Sequence, residues 1–89
     1  MKTMVVKVLH KSGLHARLAA ELVQVTTQFA AQIEIENDNE TVDGKSIMGI
    51  LTLAAGYQTE LQIRASGVDE VAAIQAITDV FLLKFASEE

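Results

Sequence analysis

Two alternating hydrophobic periods restrict this chain to a fold in which short strands and helices share one core. Apolar residues recur at every second position in some segments and at every third or fourth position in others. The two-residue period predicts strands over residues 3–9, 31–36, 40–43 and 60–66. The longer period predicts helices over residues 16–29 and 47–54, and a last helix opened by Asp69 and Glu70. The order βαββαβα predicts an α+β open-faced sandwich, a four-stranded antiparallel sheet with three helices on one face.

Individual residues predict the helix faces and the turns. The apolar stripe of the first helix is predicted from Leu18, Leu22, Val25 and Phe29, and that of the last from Val71, Ile74, Ile77 and Phe81. Asn-Asp-Asn at residues 37–39 tolerates left-handed backbone and is expected to form a turn, as is Gly67. Gly56 is expected to end the second helix with a positive φ angle. His10 is expected to be exposed to solvent at the end of the first strand.

Length and composition fit one soluble domain. The chain has 89 residues, 49% of them hydrophobic, and we expect a single domain over residues 1–89. It contains no cysteine, which excludes a disulfide and a thiolate metal site. No targeting segment and no membrane-spanning length are recognisable, so a cytoplasmic protein is expected. The net charge of −5 argues against nucleic acid as the main partner.

The segment Ser-Gly-Leu-His-Ala-Arg-Leu, residues 12–18, places a histidine where the first strand pattern ends and a helical pattern begins. The first N–H groups of a helix lack partners within the helix and carry a partial positive charge. A second positive charge is disfavoured there, so His15 is expected as a neutral nucleophile. The N–H groups of Ala16, Arg17 and Leu18, together with the Arg17 guanidinium, could hold the oxygens of a phosphoryl group. The segment therefore predicts a histidine that accepts a phosphoryl group and passes it on.

Other chemistry is possible for a histidine at a helix start, and most such histidines are surface caps without any. Proton transfer would require an orienting carboxylate, and no acidic residue lies near His15 in the sequence. His10 and His15 are the two histidines, and no carboxylate motif surrounds them, so no metal site is expected. No cofactor is expected either.

Two short motifs resemble those of a known family. Residues 13–19 read Gly-Leu-His-Ala-Arg-Leu-Ala, and residues 45–49 read Lys-Ser-Ile-Met-Gly. The first resembles the phosphorylation motif of the phosphocarrier HPr family, which belongs to the bacterial phosphoenolpyruvate-dependent sugar phosphotransferase system. The second resembles the regulatory motif of that family. Two motifs at the correct separation are stronger evidence than one heptapeptide, and the resemblance covers essentially the whole chain.

The resemblance implies a role and partners for each motif. It implies that His15 is phosphorylated on Nδ1 by enzyme I and passes the phosphoryl group to sugar-specific A components, as a stoichiometric carrier rather than an enzyme. It implies that Ser46 is phosphorylated by a Ser-directed kinase, reversed by a phosphorylase, and that the phosphoserine form assists a catabolite-control transcription factor. Further partner contacts are carried over from the family to Leu14, Ala20, Gln24 and Thr27. A monomer that meets its partners transiently is expected.

Leu18 departs from the family motif, which has proline at this position. Leucine is a good helix former, so the helix is expected to begin in the same place. It would place an apolar side chain beside the histidine, and an exposed Leu18 and Met48 would favour self-association. Two alternatives stay open: a mainly regulatory module that acts through phospho-Ser46, and a carrier for a non-sugar phosphotransferase chain, such as nitrogen-related or dihydroxyacetone phosphorylation.

Ser46 precedes the second helix, where serine is favoured as an N-cap even without regulation. A phosphate there would suit the helix start and add about two negative charges beside Ile47, Met48 and Leu51. We expect these three residues to form a partner-docking patch. The alternative is that they belong to the core of a short helix, and their exposure distinguishes the two.

Overall fold

One antiparallel sheet forms the frame of the molecule. The computed structural model describes residues 1–53 and 55–84. The strands are β1 (Lys2–Lys7), β2 (Gln32–Asn37), β3 (Glu40–Asp43) and β4 (Glu60–Ser66). They lie in the order β1-β4-β2-β3, and every neighbouring pair is antiparallel. The sheet order brings the first and last strands of the chain side by side.

Three helices pack against this sheet. They are α1 (Ala16–Thr26), α2 (Ile47–Thr52) and α3 (Glu70–Asp79), and a π-helical turn over Val80–Lys84 follows α3. Strand β4 alternates between buried apolar and more exposed polar residues, with Leu61 and Ile63 buried and Gln62 exposed. The buried strand residues form one core with side chains of the helices, including Leu22 and Phe81. The predicted βαββαβα order and α+β open-faced sandwich are confirmed.

Hydrogen bonds at both ends place α1 and α2 antiparallel. At the start of α1, Leu14 N donates to the carbonyl oxygen of Ala55, which follows α2, over 2.9 Å. Beyond the end of α1, the carbonyl oxygen of Phe29 accepts from Nζ of Lys45, just before α2, over 2.7 Å. The beginning of each helix therefore lies near the end of the other.

The C-terminal end of α1 is also fixed by a buried threonine. Thr26 is fully buried, and its Oγ1 donates to the carbonyl oxygen of Gly44 over 2.8 Å. A buried hydroxyl with a partner avoids the cost of desolvation, so this bond holds α1 to the segment that leads into α2.

Asp69 connects the loop between α1 and β2 to the start of α3. Its two carboxylate oxygens accept from the backbone N–H groups of Ala30 and Ala31, each over 2.8 Å. The bond from Ala30 is the main cause that lowers the pKa of this carboxyl below its ordinary value. Asp69 precedes α3 as predicted, but its side chain makes no cap bond within that helix.

Two predicted elements are too long. The first strand ends at Lys7 rather than residue 9, and α1 ends at Thr26 rather than residue 29. After α1, the N–H groups of Gln28 and Phe29 bond to carbonyls three residues earlier, which tightens the chain and ends the α-helical pattern. The predicted end of the second helix, Ala54, lies outside the described residues.

Two further expectations are wrong at single residues. Gly56 is not among the described residues with positive φ, which include Asp38 at 56° and Gln58 at 70°. Leu53 caps α2 in a right-handed conformation, so no left-handed residue is needed there. Val71 is exposed, because α3 turns Ala73 and Ile77 toward the sheet. The turn at Asp38 is as predicted.

Candidate functional site

His15 stands immediately before α1, as the sequence predicts. Its backbone is extended, with φ −87° and ψ −178°, and its side chain makes no cap hydrogen bond. Its carbonyl oxygen accepts the first bond of the helix from Ala19 N over 2.9 Å. The helix begins at Ala16, so the N–H groups of Ala16, Arg17 and Leu18 have no acceptor within it. A half-buried imidazole thus lies beside free backbone donors.

The loop that leads to His15 depends on Gly13. This glycine has φ +76°, a conformation that residues with a Cβ rarely adopt. A Cβ at this position would lie 2.6 Å from the carbonyl oxygen of Ala55. The close approach allows Leu14 N to bond to that same oxygen over 2.9 Å. Gly13 therefore permits the contact that holds the start of α1 against the end of α2.

Arg17 is exposed on the first turn of α1. It forms no ion pair or side-chain hydrogen bond with residues 1–53 or 55–84. A cation at a helix start is unfavourable against the helix dipole unless an anion lies nearby. The guanidinium is therefore available to an anionic group bound at the start of α1.

His10 lies next to His15, in contrast to the expectation that it is exposed. It is only 4% exposed, and its Nδ1 accepts from the backbone N–H of Ser12 over 3.1 Å. The centroids of the two imidazole rings are 5.3 Å apart, with the ring planes at 81°. The expectation was wrong because a turn begins at His10, in which Gly13 N bonds to the His10 carbonyl oxygen, and Leu14 N then bonds to the carbonyl oxygen of Ala55.

Ser46 caps α2 as predicted, its Oγ accepting from the backbone N–H of Gly49 over 3.0 Å. Ile47 is 39% exposed and Met48 71% exposed, so both lie on the surface. Leu51 is half-buried and packs against the core. The surface of α2 therefore offers an apolar patch made chiefly of Ile47 and Met48.

The exposed side of α1 carries most of the contacts expected on this helix. Arg17, Ala20, Gln24 and Thr27 follow at steps of three, four and three residues, which places them on one face. Gln24 and Thr27 are exposed and Ala20 is half-buried. The expected partner contact at Leu14 is wrong. Its side chain is 5% exposed and packs in the core, out of reach of a partner.

Two other features are absent from the described residues. In the described part of the chain, no three His, Asp or Glu side chains are grouped so that they could hold a metal ion. No helix among the described residues combines the length and apolar character that crossing a membrane requires.

Comparisons with known proteins agree with the two motifs. A family model described as "PTS HPr component phosphorylation site" matches residues 2–82. The chain belongs to the HPr family. Phosphocarrier protein HPr of Treponema pallidum is 45% identical over 83 residues, which cover 93% of this chain and 94% of the relative. That of Neisseria meningitidis is 36% identical over 75 residues, 84% of each chain.

Solved HPr structures share the fold along the whole chain. A crystal structure of HPr from Thermoanaerobacter tengcongensis has a TM-score of 0.94, 42% identity and full coverage of both chains. Crh, a catabolite-repression protein of Bacillus subtilis solved as a domain-swapped dimer, has a TM-score of 0.75 and 38% identity, over 81% of this chain and 83% of Crh. Proteins named HPr are phosphocarriers, and the general phosphocarrier role in the phosphotransferase system follows from membership of the family.

Leu18 belongs to the core of the protein rather than to its surface. Its side chain is 2% exposed and packs in the core, as that of Leu22 does. The expectation of an exposed Leu18 that favours self-association is therefore wrong. Its backbone N–H, which a proline would lack, remains at the start of α1 beside those of Ala16 and Arg17.

The two HPr motifs lie at opposite ends of the α1–α2 pair. His15 precedes α1, whereas Ser46 lies beside Lys45, whose Nζ bonds to the carbonyl oxygen of Phe29 beyond the other end of α1. Helix α1 has 11 residues. A helix of that length spans about 16 Å. The two motifs are therefore separated by about the length of α1.

Proposed function

We propose that this protein carries a phosphoryl group on His15 from enzyme I to the sugar-specific A components of the phosphotransferase system. The observation that supports this most is the position of His15 before α1, beside the free N–H groups of Ala16, Arg17 and Leu18. Backbone donors at a helix start bind phosphate oxygens and favour negative charge. The exposed guanidinium of Arg17, which pairs with no other described residue, adds a cation at the same place.

The proposed transfer is a displacement at phosphorus. The lone pair of His15 Nδ1 forms the bond to phosphorus, the bond from phosphorus to the donor atom breaks, and that electron pair returns to the donor. The ring proton stays on Nε2, and the same step in reverse delivers the group to the acceptor. The donors at the helix start balance the charge of the phosphoryl oxygens throughout.

Intact-protein mass after incubation with phosphoenolpyruvate and catalytic enzyme I tests the proposal. The protein is expected to gain one acid-labile phosphoryl group, and His15→Ala is expected to gain none. An unlabelled parent, in the presence of an enzyme I that phosphorylates another HPr, contradicts the proposal. Reconstitution with purified A components, or with acceptors of non-sugar chains, then identifies which acceptor this protein serves.

Arg17→Ala is expected to slow phosphoryl transfer while the fold stays intact. A hydrogen bond to a charged group contributes about 1.5–3 kcal/mol, so the rate of transfer from enzyme I should fall by about ten- to a hundredfold. Lys2→Ala removes the same charge from the exposed start of β1 and is the matched control. Equal rates for both variants, measured by rapid quench, contradict the role of Arg17.

We further propose that phosphorylation of Ser46 regulates this carrier, with a Ser-directed kinase and phosphorylase and a catabolite-control transcription factor as the partners. Ser46 caps α2 next to the exposed Ile47 and Met48, and Crh, a relative by fold and sequence, is a catabolite-repression protein. A phosphate at a helix start is electrostatically acceptable, so the change should act on docking rather than on folding.

Ser46→Asp and Ser46→Asn separate charge from capping, because both side chains are good N-caps of nearly equal size. Asp is expected to slow transfer from enzyme I, and Asn is expected to leave the rate unchanged at similar thermal stability. Equal rates for Asp and Asn contradict the regulatory effect of charge. A protein labelled at Ser46 but not at His15 would favour the second candidate function, a mainly regulatory module.

A further inference from the structure

His10 forms part of the loop that presents His15. Its side chain is buried, its Nδ1 accepts from Ser12 N, and its carbonyl oxygen accepts from Gly13 N over 2.9 Å. The ring therefore closes the turn in the way that the side chain of an Asn or Asp closes an Asx-turn. His10 is thus tied to the residues that immediately precede His15.

The hydrogen bond at Nδ1 determines where the neutral His10 ring carries its proton. A ring nitrogen that accepts an N–H has its lone pair free, so the proton lies on the other nitrogen, Nε2. Nε2 of His10 is buried and has no hydrogen-bond partner in the described structure. A buried donor without a partner costs stability that an apolar ring of the same shape would not. Loop closure alone therefore does not account for an imidazole at this position.

The ring of His10 packs against the one side chain that carries the proposed chemistry. A centroid separation of 5.3 Å and an interplanar angle of 81° describe an edge-to-face contact between His10 and His15. The His15 side chain makes no hydrogen bond to any described residue. Contact with the buried His10 ring therefore restrains how the His15 imidazole is turned.

We propose that His10 is a positioning residue, whose buried ring holds the His15 imidazole in the orientation that accepts the phosphoryl group. This inference rests on the proposed phosphocarrier function of His15. Without the His10 ring, His15 would distribute over the three staggered wells of χ1 and the roughly two-fold torsion of χ2. Transfer should then slow by about three- to sixfold, because only a fraction of molecules present the nucleophile correctly.

Two substitutions at His10 distinguish the effect of its ring on His15 from the effect of its hydrogen bond with Ser12. His10→Asn keeps an acceptor for Ser12 N, and so keeps the turn, but removes the ring next to His15. His10→Phe keeps a buried ring of similar shape and removes both nitrogens, and Ser12 is exposed enough for water to replace the lost acceptor. Ile33→Val, a buried change in β2, is the control for a general loss of stability.

Three readouts are needed for each variant: the rate of transfer from enzyme I, the thermal midpoint, and the three-bond NMR couplings that report χ1 of His15. His10→Asn is expected to transfer about three- to sixfold more slowly with averaged couplings. His10→Phe is expected to keep the couplings and the rate of the parent, with a thermal midpoint at least as high. A merely structural role would instead make the rate follow the thermal midpoint in all three variants.

The outcomes distinguish this inference from the function on which it rests. A parent that takes no label from enzyme I overturns the phosphocarrier function and the positioning role with it. A labelled parent, with His10→Asn equal to it in rate and couplings, overturns only the positioning role. His10→Phe as slow as His10→Asn also overturns it, since the ring contact would then be insufficient.

Discussion

Gly13→Ala is expected to destabilise the protein through a contact that no side-chain movement can relieve. At φ +76°, an alanine pays the left-handed penalty of about 1–2 kcal/mol. The new Cβ would also lie 2.6 Å from the carbonyl oxygen of Ala55, and both groups belong to the backbone. Moving them apart stretches the 2.9 Å bond between Leu14 N and the same oxygen. A weakened bond of this kind costs about 1 kcal/mol more.

The net effect includes the unfolded chain. Alanine lowers the conformational entropy of the unfolded chain, which stabilises the protein by about 0.4–1 kcal/mol. The free energy of unfolding is therefore expected to fall by about 2 kcal/mol in total. For a domain of this size, that loss lowers the thermal midpoint by about 8–16 °C. Urea unfolding followed by circular dichroism measures the loss directly, and an unchanged m-value shows that the difference lies in stability.

Gly56→Ala is the matched control for Gly13→Ala. Among the described residues, no atom beyond its chain neighbours lies within 4 Å of a Cβ built on Gly56, and its φ lies outside the left-handed region. The same substitution there should leave stability unchanged or raise it by up to about 1 kcal/mol. If the two variants unfold at the same urea concentration, the argument from φ and from the Ala55 contact is refuted.

Three other changes have expected outcomes that follow from the packing and the charges. Leu18→Pro restores the family residue but removes a buried side chain, so we expect a loss of about 1–2 kcal/mol in urea unfolding, and no loss would contradict the core role of Leu18. Thr26→Val leaves the Gly44 carbonyl oxygen without its donor and should cost about 1–3 kcal/mol, measured in the same way. The pKa of Asp69 is lowered in the folded protein, so its carboxylate stabilises the fold at pH values above the ordinary pKa of about 3.9. This stabilisation is lost as the pH falls through the lower pKa of the folded state. In Asp69→Asn, the free energy of unfolding should therefore fall less steeply as the pH is lowered. An unchanged pH dependence would refute the stabilising role of the Asp69 carboxylate.

Local patterns in the sequence were sufficient to predict most of the strands and helices and the residues that define the two motifs. Strands β3 and β4 have the predicted bounds, residues 40–43 and 60–66, because their alternation is regular and turn residues flank them. The helix starts after His15 and Ser46 are likewise set by neighbouring residues. The first strand and first helix were predicted too long, because apolar residues continue beyond the point where the backbone bonding changes.

Contacts between segments that are distant in the sequence could not be predicted from such patterns. The burial of His10 depends on how residues 10–14 fold back, and no periodicity includes that position. The apolar stripe predicted for the last helix begins at Val71, which is exposed in the structure. In the structure the smaller Ala73 is the fully buried residue, and its size permits close packing of helix and sheet.

The antiparallel arrangement of α1 and α2 limits how two phosphoryl groups on this protein could influence each other. The ends of α1 are about 16 Å apart, and the Debye length at physiological ionic strength is about 8 Å. Mobile ions would therefore screen most of the repulsion between a charge on His15 and one on Ser46 in the free protein. Antagonism between the two modifications would then arise only in a complex, where a single partner covers both ends of the helix pair and excludes the intervening solvent. In the free carrier, phosphorylation of His15 and of Ser46 would be independent, and only a partner that covers both ends would couple them.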